Sequence, residues 1–321
     1  MATLRYTDVF VPGGFPQHTY NPRVELKLEA SVRQVTQNLC KLVPVTGHTK
    51  SGKTVLVRSI FPREEAIWVD GGGVGAEEDF WTTVIDQLEL YQSTEASEKK
   101  ENAAELSASG TAGANFIVAK GEAEVGGAYS TRHEISKSKS RSISSRVVAL
   151  SGLRTAGRAL VVDDFHYLPR ELQGDLIRAL KPLIFDGLPV VIIAIPHRRY
   201  DAVKVEKEMT GRILPVTIPT WSEEELMFIP SQGFGILDSN LSDSLSRRLA
   251  EESIGSPHLM QEFCRAICKA HDSASSFAGK SADLAPERLE EVFKDTADTI
   301  GRHLKNSPVD LAKGQTAFPG N

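Results

Sequence analysis

Short apolar runs alternate with stretches of helical periodicity over the first two thirds of the chain. The runs are Leu42-Val43-Pro44-Val45, Ala66-Ile67-Trp68-Val69-Asp70, Ala159 to Asp164, Val190 to Ile195 and Ile213 to Ile218. Between them, apolar residues recur at helical spacing: Leu26, Leu28, Val32, Val35 and Leu39 predict a helix over 25–39, and further helices are expected over 77–91, around Val147–Leu150 and over 169–185. Uninterrupted apolar strands alternating with helices predict an α/β core whose parallel sheet is buried on both faces. After Pro219 the pattern becomes all helical, with helices expected over 222–230, 241–253, 257–271 and 286–304. Ser222 and Glu225 form a capping box for the first of these.

Two stretches break the alternation. Residues 1–24 are rich in Pro, Gly and aromatic residues and read as an ordered, extended arm rather than a helix. Residues 93–145 run through charged, small and Gly-rich segments into a Ser/Lys/Arg tract at Ser136–Ser142, and read as an insertion, either a disordered loop or a contact for an oligomer or partner. The expected organisation is therefore an arm (1–24), a core (25–219), a helical domain (220–305) and a frayed tail (306–321).

Composition narrows the class. The 321 residues suit roughly two domains, and 40% hydrophobic with 25% charged residues is ordinary for a soluble globular protein. No run of about 18 apolar residues predicts a membrane span, and the first residues lack the apolar core of a signal peptide. Three cysteines in this length point to a reducing, cytoplasmic setting; Cys264 and Cys268 have no second ligand pair and are assigned to helix packing rather than zinc. A net charge of −5 makes no global case for nucleic acid, although a local basic surface such as Lys137–Arg146 stays open.

The chemistry enters at Gly47-His48-Thr49-Lys50-Ser51-Gly52-Lys53-Thr54, which fits G-x-x-x-x-G-K-[ST] at every fixed position and lies between an apolar strand and the apolar run starting at Val55. In this motif the loop amides and the following helix N-terminus hold phosphate oxygens, here over residues 47–55. Lys53 would reach the β- and γ-phosphates, and the Thr54 hydroxyl would hold Mg²⁺. Asp163 and Asp164 end an apolar strand further along. Asp163 is the candidate metal residue opposite Thr54, and Asp164 the group that orients or deprotonates the attacking water.

This order resembles AAA+ and STAND P-loop ATPases, nearest to their Orc/Cdc6-like and STAND members, over roughly residues 10–300. The stretch Val161 to Pro169 resembles their Walker B region, with Asp-Asp where many AAA+ members have Asp-Glu. Gly255-Ser256-Pro257 resembles the GxP turn of STAND lids, and His258 stands where AAA+ proteins often carry a phosphate-sensing Arg. The resemblance further implies a sensor residue at His197 or Arg198, an Arg212 that reaches a neighbour's nucleotide, and an arm that packs around adenine through Tyr20, with Arg23 a second contact. It implies ATP and Mg²⁺ as ligands, slow hydrolysis, a homo-oligomer and a protein effector partner, with settings such as bacterial defence or mobile elements. Two alternatives stand beside this switch or assembly ATPase: a DNA-binding regulator of the initiator or transposition type, and a nucleotide-bound scaffold that scarcely hydrolyses.

Overall fold

The computed structural model of the chain describes residues 4–90, 144–195, 209, 211–271 and 276–305, the last six as helix backbone alone. Among these residues, β1 (Leu42–Thr46), β2 (Ile67–Asp70), β3 (Leu160–Asp163), β4 (Val190–Ala194) and β5 (Val216–Thr217) form one sheet in the order β2-β3-β4-β1-β5. Every pairing is parallel. Successive side chains point to opposite faces, and both faces are covered. Leu42, Ile67, Leu160, Val162, Val190 and Ile192 pack on one side with α4 (Glu77–Gln87), α5 (Ser145–Ala156) and α6 (Arg170–Phe185), through Phe80, Trp81, Leu153 and Ile177. Val43, Val45, Val161, Val191 and Ile193 pack on the other with α2 (Leu28–Arg33) and α3 (Lys53–Ile60), through Val32, Leu56 and Val57. Because the ladder is parallel, the carboxyl ends of all five strands gather on one edge, where open α/β sheets hold their ligands.

The lid, α7 (Glu223–Ile236), α8 (Asp243–Glu252), α9 (Pro257–Ala270) and α10 (Pro286–Lys305), has its own core of Leu226, Phe234, Leu249, Met260, Phe263 and Ile267. Cys264 and Cys268 are buried in it as packing groups, and burial pushes the Cys268 thiol up to about 12. The Ser222–Glu225 capping box forms as expected, with Glu225 N–H on Ser222 Oγ and Ser222 N–H on Glu225 Oε2.

Several expectations need correction. The arm contains a helical turn, α1 (Tyr6–Val9), which delivers Val9 and Phe10 into the lid core. The helix over 25–39 shrinks to α2 between two 3₁₀ turns: Lys27, at φ 50, breaks it, and Val24 and Leu26 stay exposed while Leu28, Val32 and Val35 are buried. The helix expected to stop at 230 continues through Pro230 to Ile236, because burying Phe234 outweighs the one backbone bond a proline removes. The strand over 213–218 pairs only at Val216–Thr217 and at an Ile213 bridge, since Pro215 between them has no N–H to donate. The 93–145 insertion lies outside the described residues except for its end, where Ser145 bonds Glu78.

Candidate nucleotide site

Strand β1 delivers the chain into the loop Gly47–Gly52, and α3 starts at Lys53. Lys50 (φ 61) and Gly52 (φ 90) are left-handed and turn the loop back over the helix start. A Cβ on Gly47 would lie 2.7 Å from Ser51 Oγ and 3.1 Å from the Ile218 carbonyl oxygen, so a side chain there would crowd the loop. The loop curls around its own lysine: Lys53 Nζ donates to the carbonyls of Gly47 (3.0 Å) and His48 (2.7 Å). Burial pulls the Lys53 pKa below its usual value, against the opposite pull of Asp164 and Asp163. Ser51 Oγ is buried and makes no hydrogen bond among the described residues. A buried hydroxyl of this kind calls for an acceptor or donor from a ligand, and a phosphate in the loop would supply one. The desolvated ammonium and the N-terminus of α3 favour the same anion.

The carboxylates face this loop from the ends of β2 and β3. Thr54 Oγ1 donates to Asp163 Oδ1 at 3.2 Å, and the Asp164 N–H donates to the same oxygen at 2.9 Å. Burial, with the neighbouring charges of Asp164 and Asp70, raises the Asp163 pKa despite these two bonds. A buried carboxylate whose charge is disfavoured, beside a hydroxyl, fits a hard divalent cation. Among the described residues no group of three or more His, Cys, Asp or Glu could hold a metal alone. The Thr54 hydroxyl and the Asp163 carboxylate are hard oxygen donors, of the type that suits Mg²⁺. Asp164 is left-handed (φ 49), and its carbonyl sits where a Cβ on Gly71 would approach within 2.6 Å. This tight crossing fixes the Asp163-Asp164 turn against β2. Asp164 lines the cleft, with His166 Nδ1 4.0 Å from its Oδ1.

The loop, the arm and the lid together enclose a cleft of about 600 Å³. Its lining includes Thr49, Lys50, Ser51, Gly52, Lys53, Thr54 and Val55 from the loop and α3, with Pro257 and His258 from α9. Tyr20 lines it too. The Tyr20 hydroxyl donates to Glu29 Oε1 (2.8 Å) and accepts from Ser59 Oγ (3.2 Å), its ring stacks on Phe15, and burial raises its pKa. The ring therefore stands as a neutral, anchored wall.

Other expected contacts fall differently. Arg23 is not free to reach a base: its guanidinium bonds both Glu225 oxygens (2.8 and 2.7 Å) and the Pro219 and Thr220 carbonyls. His258 reaches the cleft, but its Nδ1 bonds the Pro12 carbonyl and its Nε2 lies 3.8 Å from Glu262. Arg212 is not brought to this chain's own cleft. Its carbonyl accepts from Leu42 N–H at the first residue of β1, the end of the sheet opposite the loop, and its guanidinium stacks on Phe185 at 5.0 Å. His197 and Arg198 lie outside the described residues; Ile195, just before them, lines the cleft. Sequence reasoning missed Asp70 and Trp221. The sheet register sets Asp70 opposite Asp163, and Trp221 stands immediately before the capping box, the one signal that marked a junction.

Neither a protein-family model nor a curated protein matches the chain. Solved structures do match in fold. A Walker-type ATPase of Pyrococcus abyssi aligns with TM-score 0.58 at 14% identity, over 89% of this chain and 75% of that one. The Orc1 protein of Aeropyrum pernix, solved in complex with DNA, aligns with TM-score 0.54 at 12% identity, over 97% and 78%. Cdc6p of Pyrobaculum aerophilum aligns with TM-score 0.52 at 12% identity, over 94% and 74%. The chain, a parallel five-stranded sheet followed by a helical domain, shares its fold with these solved ATPase and Orc/Cdc6 structures.

Proposed function

We propose that the chain binds ATP with Mg²⁺ in the cleft between core, lid and arm, and hydrolyses it slowly as a switch or assembly ATPase. The observation that carries this reading is the bond between Thr54, at the start of the phosphate-loop helix, and the buried Asp163. It places a hydroxyl and a carboxylate together beside the desolvated ammonium of Lys53. Lys53 and the loop amides would hold the phosphates, and Asp164 would accept a hydrogen bond from the attacking water. A bound Mg²⁺ would supply charge neutralisation to the β- and γ-oxygens through Thr54 and Asp163. The anchored Tyr20 ring offers a flat face to the base.

Output through a homo-oligomer and an effector partner is the further part of this reading, with Arg212 serving the neighbouring copy. Its place away from its own cleft, on an accessible edge beside the exposed Phe185, supports use in trans. A nucleotide-bound scaffold with little hydrolysis is the second reading. It is favoured by the short Asp164 side chain and by the bond that ties His258 to Pro12. DNA binding has in its favour the Orc1 likeness, a likeness of fold.

Calorimetric titration with ATP and Mg²⁺, together with turnover of wild type and Asp164→Ala, tests the proposal. Lys53→Ala should weaken ATP binding about tenfold or more, the scale for a hydrogen bond to a charged group. Asp164→Ala should bind normally and lose turnover. Equal, near-zero rates in wild type and Asp164→Ala select the scaffold; no binding at all removes the ATP reading.

A further inference from the structure

We propose that Trp221 is a positioning residue of the phosphate loop, through which a phosphate bound there is coupled to the posture of the lid. The inference rests on nucleotide binding at this loop but goes beyond it, since nothing in phosphate recognition itself requires a tryptophan at the head of the lid.

Trp221 stands where four segments meet. Its indole Nε1 donates to the Ser51 carbonyl of the phosphate loop at 3.0 Å, and its ring edge lies 3.9 Å from where a Cβ on Gly52 would stand. The Arg23 guanidinium, from the arm, lies over the ring at 4.7 Å. That guanidinium is buried, and it clamps Glu225 of α7 bidentately while bonding the Pro219 and Thr220 carbonyls on either side of the junction. The fourth segment is the lid turn before α9. Gly255 (φ 70) comes so close that a Cβ there would lie 2.2 Å from Thr220 Cγ2 and 3.3 Å from the Trp221 carbonyl.

Each contact constrains the others. Arg23 has no slack, because its donors are spread over a carboxylate and two carbonyls in one rigid plane. Glu225 is also the capping residue of α7, so the arm's grip and the start of the lid are the same side chain. The Ser51 carbonyl that Trp221 holds belongs to the residue whose own hydroxyl is buried without a partner among the described residues. A phosphate oxygen that takes up this hydroxyl reorients the Ser51 peptide unit. The indole N–H must follow that carbonyl or release it, and the ring cannot move without shifting Arg23, which holds Glu225 at the start of α7. Phosphate in the loop and the angle of the lid are thereby linked through one hydrogen bond.

The other two tryptophans, Trp68 and Trp81, are buried in the core, so Trp221 is the one placed to report on the cleft. The test uses the full chain with inorganic pyrophosphate, which can occupy the loop without a base, and with ADP as the complete ligand. Binding is followed separately by calorimetry. Wild type should change its tryptophan emission with both ligands, and Trp221→Phe, which keeps a stacked ring but lacks the N–H, should lose that change. Trp221→Phe should also bind pyrophosphate about threefold to tenfold more weakly, the value of one hydrogen bond, while its melting profile and size match wild type. Arg23→Ala should keep pyrophosphate binding near wild type and lose the coupling, seen as equal protease sensitivity of the lid with and without ligand. Pyrophosphate that binds wild type without altering Trp221 emission, or a Trp221→Phe that binds as tightly as wild type, overturns the proposal. Absence of any calorimetric binding removes the ATP reading itself, and the coupling with it.

Discussion

Asp163 is asked to be buried and charged at once, and its raised pKa records the conflict. A carboxyl whose folded-state pKa exceeds its unfolded value opposes folding when it ionises. That cost is absent where both states are protonated, grows as pH rises from the unfolded toward the raised folded pKa, and is complete above it. Asp163→Asn keeps an oxygen for Thr54 and for the Asp164 N–H. It is therefore expected to melt above wild type at pH 7 without nucleotide, with the advantage gone near pH 3, below the ordinary carboxylate range of about 3.9. The same variant should lose the strengthening of ATP binding by Mg²⁺. Thermal denaturation across pH decides this, and a wild type that melts at or above the variant at pH 7 contradicts it. Asp163 and Asp164 were readable in the sequence because two acids closing a wholly apolar strand have no packing purpose. Asp70 was not, because its relation to Asp163 exists only in the strand register. Arg23 looked like a ligand contact for the opposite reason: its charge was visible and its four bonded acceptors were not.

At the scale of elements, α7 shows local preference yielding to packing. Gly233 lies inside this helix, where alanine ordinarily gains about 1 kcal/mol. Here a Cβ would meet the Phe10 ring at 2.2 Å. Gly233→Ala is expected to destabilise the lid, by about 1–3 kcal/mol for overpacking. Phe10→Ala should cost about 3–5 kcal/mol by opening the lid core. In the Phe10→Ala background the sign should reverse, so that adding Gly233→Ala raises stability instead of lowering it. Denaturant melts of the four proteins form the cycle, and additive effects would show that the ring and the helix are not in contact. The same competition explains which elements were legible. Strands buried on both faces announce themselves as continuous apolar runs, and the lid helices by their amphipathic period. The turn at Tyr6–Val9 answers to a distant partner, the lid core, so no local pattern encodes it, and the left-handed Lys27 is a non-glycine residue that the helical spacing around it does not mark. Pro230 gave a false stop because its cost is local and the burial of Phe234 that outweighs it is not.

For the whole molecule, the separation of Arg212 from its own cleft sets a test of assembly. About 13 Å of strand lies between the residue it bonds, Leu42, and the start of the loop after Thr46. If Arg212 completes a neighbour's site, Lys53→Ala and Arg212→Ala should each lack turnover alone, and a mixture of the two should recover part of it. A mixture as inactive as its components would rule out a shared site. ATP with Mg²⁺ at about a hundred times its dissociation constant should also stabilise the folded chain by about 2.7 kcal/mol, read as a rise in melting temperature that Lys53→Ala cuts to about half or less. Among the described residues no helix is long and apolar enough to cross a membrane. The arm has one more consequence, in time rather than space. Val11 N–H bonds Gln261 Oε1 across 250 positions, and Phe10 fills a lid core made almost entirely of later residues. At translation rates of about 5–20 residues per second, the arm leaves the ribosome some tens of seconds before its binding partner exists. During that interval Val9 and Phe10 are a hydrophobic segment awaiting the lid. The lid helices are thus the ones that retire the arm, and the cleft can close around a ligand only once they have been made.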